Sequence, residues 1–275
     1  MNSIEILTDI DYSKIKHYIY SKLGIEYDEK KKETVSTKIT KLVNRRKMKS
    51  IKEYVNFILN TTDADAIQEF FNEITTNTTE FFRENVHFEY LKSNLTKIIA
   101  EIPRIQRDRE IRVWSAPCSS GEEALTLSMV LQENLPSGIK PKILATDISE
   151  KVLNKAMKGV YTENECKGIS KQLLLKYFRK QPDGCYMAEE NLKKCISYRH
   201  FNLMEEFSSP SLQRGFDIIF CRNLMIYFDN KSQQQLIDKF YEVLVPNGLF
   251  FIGHSESLLN KTHKFKNVQT ALFRK

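Results

Sequence analysis

An α/β protein with an all-helical N-terminal section is what this 275-residue sequence predicts, and three observations carry the prediction. Residues 1–75 space their apolar side chains at helical intervals and contain no strand-like run. From Arg112 onward, short β-prone runs alternate with helical stretches, which is the rhythm of a mostly parallel sheet with helices on both faces. Between Tyr161 and Phe201 the rhythm breaks around Pro182-Asp183-Gly184, a turn signal between short β-prone runs, and this predicts a small antiparallel insertion.

The elements follow in order. Ile15, Ile19 and Leu23 recur at i, i+4, i+8 on a first helix, with Asp11 as its expected N-cap and Gly24 just past its end. Val35, Ile39, Leu42 and Val43 mark one face of a second. Ser50 and Glu53 stand in capping-box register at the start of a third, and a short helix over Ala64 to Glu73 leads into "ITTNTTEFFRE". Strands are expected at Arg112 to Ser115, Lys142 to Thr146, Phe216 to Cys221, Gly248 to Ile252 and Val268 to Phe273. Helices are expected at Gly121 to Glu133, Ser149 to Met157 and Lys231 to Val243. The predicted division is a helical domain over 1–75, a linker with a connecting helix over 76–110, and a sheet domain over 111–275 with its insertion at about 165–200.

Composition narrows the classes. With 41% apolar residues the chain buries a full core. Cys118, Cys166, Cys185, Cys195 and Cys221 form no C-x-x-C pair and have no histidine at ligand spacing, so reduced thiols, a cytoplasmic setting and no bound metal are expected. The start "MNSIEILTDIDYSK" lacks a basic segment followed by an apolar one, and no run approaches roughly 18 consecutive apolar residues, so neither secretion nor membrane insertion is expected.

Charge is uneven. Lys30 to Lys52 holds ten Lys/Arg and one acid, Glu33, a local balance of +9 against +7 for the whole chain. Lys38, Lys41 and Arg45 fall on one stripe beside the apolar face. The stripe reads either as a solvated helix face or as a docking surface for an acidic partner.

The segment "RVWSAPCSSGEEALTLSMV" has the outline of a strand, a turn of small residues and a helix, and "KILATD" supplies a second strand ending in Asp147. A carboxylate there accepts hydrogen bonds from both hydroxyls of a ribose, or else caps the next helix. The turn contains one glycine, Gly121, and no Lys-Ser/Thr pair, so it is built for neither a pyrophosphate nor a triphosphate. Glu122 adds negative charge suited to an ammonium or sulfonium. S-adenosylmethionine carries both groups.

"ITTNTTEFFRE" and "FDIIFCRNLMIYFD", together with "SAPCSSGEE", "ATDIS" and "GLFFIGHSESL", strongly resemble the chemotaxis receptor glutamate methyltransferases, the CheR family, collinearly over nearly the whole chain. The resemblance implies an all-helical N-terminal domain joined to a Rossmann-like class I methyltransferase domain with a small antiparallel β-subdomain inserted. It implies S-adenosylmethionine contacts at Asn77, Thr79, Arg83, Glu122, Asp147, Asn202, Leu203, Arg222 and Asn223, with S-adenosylhomocysteine as product. Pro117 departs from the family, which more often has glycine; it lacks an N–H to offer the methionine end of the cofactor.

The acceptor implied is a glutamate side chain on the cytoplasmic domain of a methyl-accepting chemotaxis receptor. Arg83 and Tyr227 are the candidates for holding that carboxylate, and Lys38, Lys41 and Arg45 for docking the receptor. Some members of the family tether the receptor's C-terminal tail on the inserted subdomain and others do not, which makes the insertion a candidate tether. A monomer that binds no nucleic acid is expected. The alternative, a nucleic-acid methyltransferase with a basic N-terminal clamp, meets two objections. The chain has no Asn/Asp-Pro-Pro-Tyr/Phe sequence and no aromatic residues interleaved on the Lys38 stripe. Phe81 and Phe82 are expected in the core on an amphipathic helix, and His254 is given no catalytic role.

Overall fold

A computed structural model describes residues 7–275. The first six residues, where the segment expected to carry no secretion signal begins, lie outside the described residues. Four helices build the N-terminal domain: α1 (Asp9–Leu23), α2 (Lys32–Arg45), α3 (Ile51–Asn60) and α4 (Ala64–Ile74). Thr8, not Asp11, caps α1: its hydroxyl accepts from the Asp11 amide at 3.1 Å, and Asp11 sits inside the first turn. Gly24 ends α1 at φ +69°, where a Cβ would come within 2.8 Å of Met204 Sδ. Ser50 accepts from the Glu53 amide as a capping box requires, whereas the Glu53 carboxylate reaches the amide of Lys49, one residue early.

The linker motif is not helical at its aromatic pair. Residues 81–85 are turns, with Phe82 at φ +56° and Glu84 at φ +54°, so the expected amphipathic helix begins only at α5 (Val86–Glu101), which α6 (Pro103–Asp108) follows. Two non-glycine residues held left-handed so close together are backbone strain that the surroundings must enforce. Phe81 is buried against Tyr161 and Phe178 of the insertion.

The second domain alternates as expected: β1 (Glu110–Ser115), α7 (Glu122–Asn134), β2 (Lys140–Asp147), α8 (Glu150–Lys158), β3 (Val160–Tyr161), α9 (Lys171–Tyr177), β4 (Phe178–Lys180), β5 (Tyr186–Ala188), α10 (Glu190–Lys193) and β6 (Ile196–His200). The chain closes with α11 (Pro210–Gln213), β7 (Phe216–Cys221), α12 (Asn230–Val243), β8 (Leu244–Ile252), β9 (Lys266–Gln269) and β10 (Leu272–Arg274). The main sheet has the order β6-β2-β1-β7-β8-β10-β9, parallel except at β10 and β9; the small sheet is the antiparallel β3-β5-β4.

Two expectations need correction. The insertion starts at Val160, not about 165, and ends before Ile196, because Ile196 and Tyr198 pack on the core beside β2 and make β6 an edge strand of the main sheet. Val268 to Phe273 is not one strand: Ala271 at φ +59° folds it into the hairpin of β9 and β10.

Alternating side chains give the sheet two buried faces. Val113 and Ile143 meet α5 and α7, whereas Trp114 joins α12 and the N-terminal residues Ile15, Ile39 and Ile58 in one continuous cluster. The helical domain is therefore seated on the sheet. Asn202 donates to Lys22 O at 2.8 Å, Glu26 N to Tyr227 O at 2.8 Å, and Tyr20 to Asp229 at 2.9 Å.

Candidate functional site

Beyond the C-terminal ends of β1, β2 and β7 lies a cavity whose walls include Asn77, Thr79, Arg83, Asp147, Asn202, Leu203, Arg222, Asn223 and Tyr227, with Pro117 among them. Leu23, Ile25 and Tyr27 close it from the helical domain. Crevices at this end of a parallel sheet are where ligands bind, because loops diverge there and helix N-termini converge. The sequence thus identified nine of the residues that the fold brings together here.

Asp147 ends β2 with its carboxylate buried. One oxygen accepts from the Ser119 amide at 2.8 Å and the other from the Ser149 amide at 2.9 Å, an Asx-type bond two residues on. The N-cap of α8 is Ser149, so Asp147 is left facing the cavity. Burial pushes its pKa up to about 6, against the pull of these amides.

Glu122 is the exception among the predicted positions. Its carboxylate turns back onto the Ser120 hydroxyl at 2.8 and 2.9 Å, burial pushes its pKa up, and it does not line the cavity. Glu123 lines it instead. Successive helical residues point roughly 100° apart, so only one of two adjacent glutamates opening α7 faces the site. Nothing in a Glu-Glu pair says which.

Arg222 lies buried, its guanidinium 5.2 Å from the Phe88 ring centre and 5.5 Å from that of Phe220. It donates to Glu123 at 2.7 Å and to the carbonyl of Arg83 at 2.7 Å, and it pairs with Glu84 at 3.4 Å. Through Nε and Nη1 it fastens the linker turn and α7 to the sheet, while the residue still lines the cavity. Arg83 is only half-buried, and one of its nitrogens donates to Thr78 O at 2.9 Å. Arg83 therefore keeps donors for a ligand.

Two carboxylates that the sequence reading passed over organise the same region. Glu84 receives the Asn223 amide group at 3.2 Å and the His254 N–H at 3.2 Å. Burial works to raise its pKa, but the Asn223 bond and the Arg222 charge outweigh it and leave Glu84 below the usual range. Glu256, also buried, accepts four amides: Gly253 at 2.6 Å, Met225 at 2.7 Å, Leu224 at 2.9 Å and Asn223 at 3.0 Å. Burial pushes Glu256 upward while the amides pull it back. Both glutamates stand inside quoted motifs, yet nothing about their type or spacing told them from solvated acids.

Ligand atoms of Glu84, His87 and His254 lie within 4.8 Å of one another. Arg222 Nη1 stands 3.3 Å from His87 Nδ1, so a guanidinium already holds the position a cation would take. Burial, then the Arg222 charge, pushes the His87 pKa down to about 4, which keeps the ring neutral.

The basic stripe is elsewhere and is not an open face. Lys38 Nζ donates to Ile74 O at 2.7 Å and Thr75 O at 3.1 Å, and burial pushes its pKa down. Lys41 pairs with Glu73 at 3.6 Å, and Arg45 with Glu69 at 3.2 Å and Glu73 at 3.3 Å. The three side chains bind α2 to α4; Lys41 and Arg45 keep exposed surface. No helix among the described residues is long and apolar enough to cross a membrane.

The residues fit S-adenosylmethionine. Asp147 offers free lone pairs to a ribose diol, the mixed charges of Glu123 and Arg83 suit a zwitterion, and no cluster of cations waits for phosphates. Residues 10–75 match the CheR methyltransferase, all-alpha domain, and residues 77–273 match the CheR methyltransferase, SAM binding domain. A chemotaxis protein methyltransferase of Borreliella burgdorferi is 38% identical over 92% of this chain and 89% of its own length. Chemotaxis protein methyltransferase 2 of Vibrio cholerae and the Escherichia coli chemotaxis protein methyltransferase are each 33% identical, over 94% of this chain and 88% of theirs. The chain therefore belongs to the CheR family of S-adenosylmethionine-dependent methyltransferases.

Proposed function

We propose that this methyltransferase acts on glutamate side-chain carboxylates of chemotaxis receptors, giving γ-methyl esters and S-adenosylhomocysteine, with Arg83 and Tyr227 holding the acceptor. The observation that supports this most is one cavity carrying a ribose-type carboxylate, Asp147, and, in the same walls, an arginine with unspent donors and a tyrosine. The bound cofactor supplies an electrophilic methyl on a sulfonium. A glutamate is ionised at neutral pH and needs no general base, so the protein's task is alignment, for which effective molarities of roughly 10⁵ to 10⁸ M are available. Arg83 and Tyr227 orient the carboxylate. An arginine that gripped it tightly would stabilise the ground state and slow the reaction, so its role here is orientation. The apolar walls Leu23, Ile25, Leu203 and Phe228 exclude water, which shields charges about to cancel.

Asn77, Thr79, Arg83, Asp147, Asn202, Leu203, Arg222 and Asn223 are proposed to hold the cofactor, with Glu123 taking the role first assigned to Glu122. Lys41 and Arg45 are proposed to meet the acidic receptor, with Lys38 as their structural support. The small sheet is proposed as a tether for a receptor tail, since the order β3-β5-β4 leaves β4 at an edge that can accept an added strand. The protein is proposed to work in the cytoplasm as a monomer without nucleic acid. The test is transfer of a labelled methyl group to receptor-containing membranes and, in parallel, to mixed RNA and DNA at about 0.15 M salt. Alkali-labile label on the receptor is the expected result; label in nucleic acid, or none on the receptor, overturns the reading.

A further inference from the structure

The turn that carries Asn223 and Tyr227 into the cavity has little regular structure of its own. Asn223 sits left-handed at φ +59°, and Met225–Tyr227 is a single 3₁₀ turn. Most of its remaining polar backbone groups are satisfied from outside. Gln233 of α12 donates to the carbonyls of Met225 at 2.8 Å and Phe228 at 2.9 Å. The amides of Asn223, Leu224 and Met225 converge on the carboxylate of Glu256, one oxygen taking Leu224 and Met225, the other Asn223 and Gly253. Successive amides pointing into one concavity form an anion nest, and here the anion is built into the chain. Gly253 must be glycine for this to close, since a Cβ would lie 2.6 Å from Asn223 Nδ2 and 2.9 Å from Glu256 Oε2. Glu256 itself does not line the cavity.

We propose that Glu256 is a positioning residue for methyl transfer, acting through the Asn223–Tyr227 turn that it holds against the acceptor side of the cavity. The proposal rests on the reaction described above, and one arm of its test does not. Replacing Glu256 with glutamine keeps the shape, but the new amide group turns N–H against N–H on one side of the nest. The turn loses one or two of its fixings, according to which oxygen the amide replaces, and Tyr227 loses its register.

Glu256→Gln is compared with wild type in the wild-type and Tyr227→Phe backgrounds. On the wild-type background kcat is expected to fall about 30- to 100-fold, the scale for a displacement of about 1 Å, with receptor KM changed less than about threefold. On the Tyr227→Phe background the same substitution is expected to cost less than about threefold, because the group it positions is already gone. Equal losses on both backgrounds, or an unchanged kcat per folded molecule, overturn the proposal. Hydrogen exchange without receptor or cofactor gives the independent arm. Protection of the Asn223, Leu224 and Met225 amides is expected to fall at least about tenfold in Glu256→Gln while the sheet amides keep theirs, and unchanged protection there also overturns the proposal. If the wild type methylates no receptor yet this exchange result holds, the reaction reading fails and the hold on the turn stands. Should the glutamine variant not fold, Glu256→Asp keeps the charge, reaches fewer amides and is expected to show intermediate losses in both arms.

Discussion

The walls of the cavity and the surface of helix α2 both carry dense charge, but they use it in opposite ways. Around the cavity each buried charge serves several backbone groups or partners: Glu256 holds four amides, Asp147 two, and Arg222 two glutamates and a carbonyl. On α2 the charges meet other side chains at the surface, Lys41 with Glu73 and Arg45 with Glu69 and Glu73. A buried charge with fixed partners defines geometry and is costly to disturb, whereas an exposed pair adds little and leaves its charge available. The same residue types therefore build a rigid site in one domain and an adaptable surface in the other.

The contrast breaks first at Arg222. Arg222→Met strands Glu123 and Glu84 in a buried region, and urea unfolding is expected to show a loss of about 3–5 kcal/mol. Arg45→Met, with its side chain 50% exposed, is expected to cost less than about 1 kcal/mol in the same measurement. Comparable losses at the two sites would erase the distinction.

Asp147 gives the next largest effect. Asp147→Ala is expected to weaken S-adenosylmethionine and S-adenosylhomocysteine alike by about 1.5–3 kcal/mol, read by calorimetric titration. The pKa near 6 adds a pH dependence. The ionised form accepts the ribose hydroxyls, so affinity holds above pH 6 and falls about tenfold for each unit below. Stability moves the other way. A carboxyl whose folded pKa is raised contributes most when protonated, and that contribution is lost as pH rises through about 6. Asp147→Asn should flatten the affinity profile. Glu122→Gln is expected to leave cofactor affinity within about twofold whereas Glu123→Gln weakens it, and the reverse ranking would restore the sequence-based choice.

How far the sequence could be read follows the same division. Periodicity exposed what depends on apolar spacing: α1, α2 and the parallel strands β1, β2, β7 and β8. The family resemblance led to nine walls of the cavity, seven of them inside its motifs. Most of the remaining misses turned on a partner distant in sequence or on a local phase that residue type does not reveal. Ile196 to His200 reads as part of the insertion until β2 is placed beside it. Glu122 and Glu123 are equivalent until the phase of α7 is fixed. Glu256 looks like a loop acid until Asn223, 33 positions earlier, turns its amide toward it. Lys38, Lys41 and Arg45 share a stripe, as their spacing requires, but only the packing of α4 shows that the stripe faces another helix.

Lys38 tests whether that stripe is uniform. It alone binds backbone, the last carbonyls of α4, where a cation also meets the negative end of the helix dipole. Lys38→Ala is expected to cost about 1–2 kcal/mol of stability, and Lys41→Ala less than about 0.5, in paired thermal or urea unfolding. Equal values would return Lys38 to the surface class.

A small expected effect on stability carries the largest functional contrast. In the double reversal Lys41→Glu with Arg45→Glu, three ion pairs with Glu69 and Glu73 become repulsions, and the cost should stay below about 1 kcal/mol because both substituted positions are solvated. Lys38 is left in place, so α4 keeps its cap and the fold its seating. Cofactor titration should be unchanged, since neither side chain lines the cavity. Receptor methylation should nevertheless drop steeply at low salt and by a smaller factor as salt is raised toward about 1 M, where the Debye length shrinks to about 3 Å and the wild type loses its own advantage. Such a result would show that surface charge of negligible structural worth selects the partner. Wild-type methylation rates at low salt would show instead that Lys41 and Arg45 do no more than pair with α4, and that the receptor is recognised elsewhere.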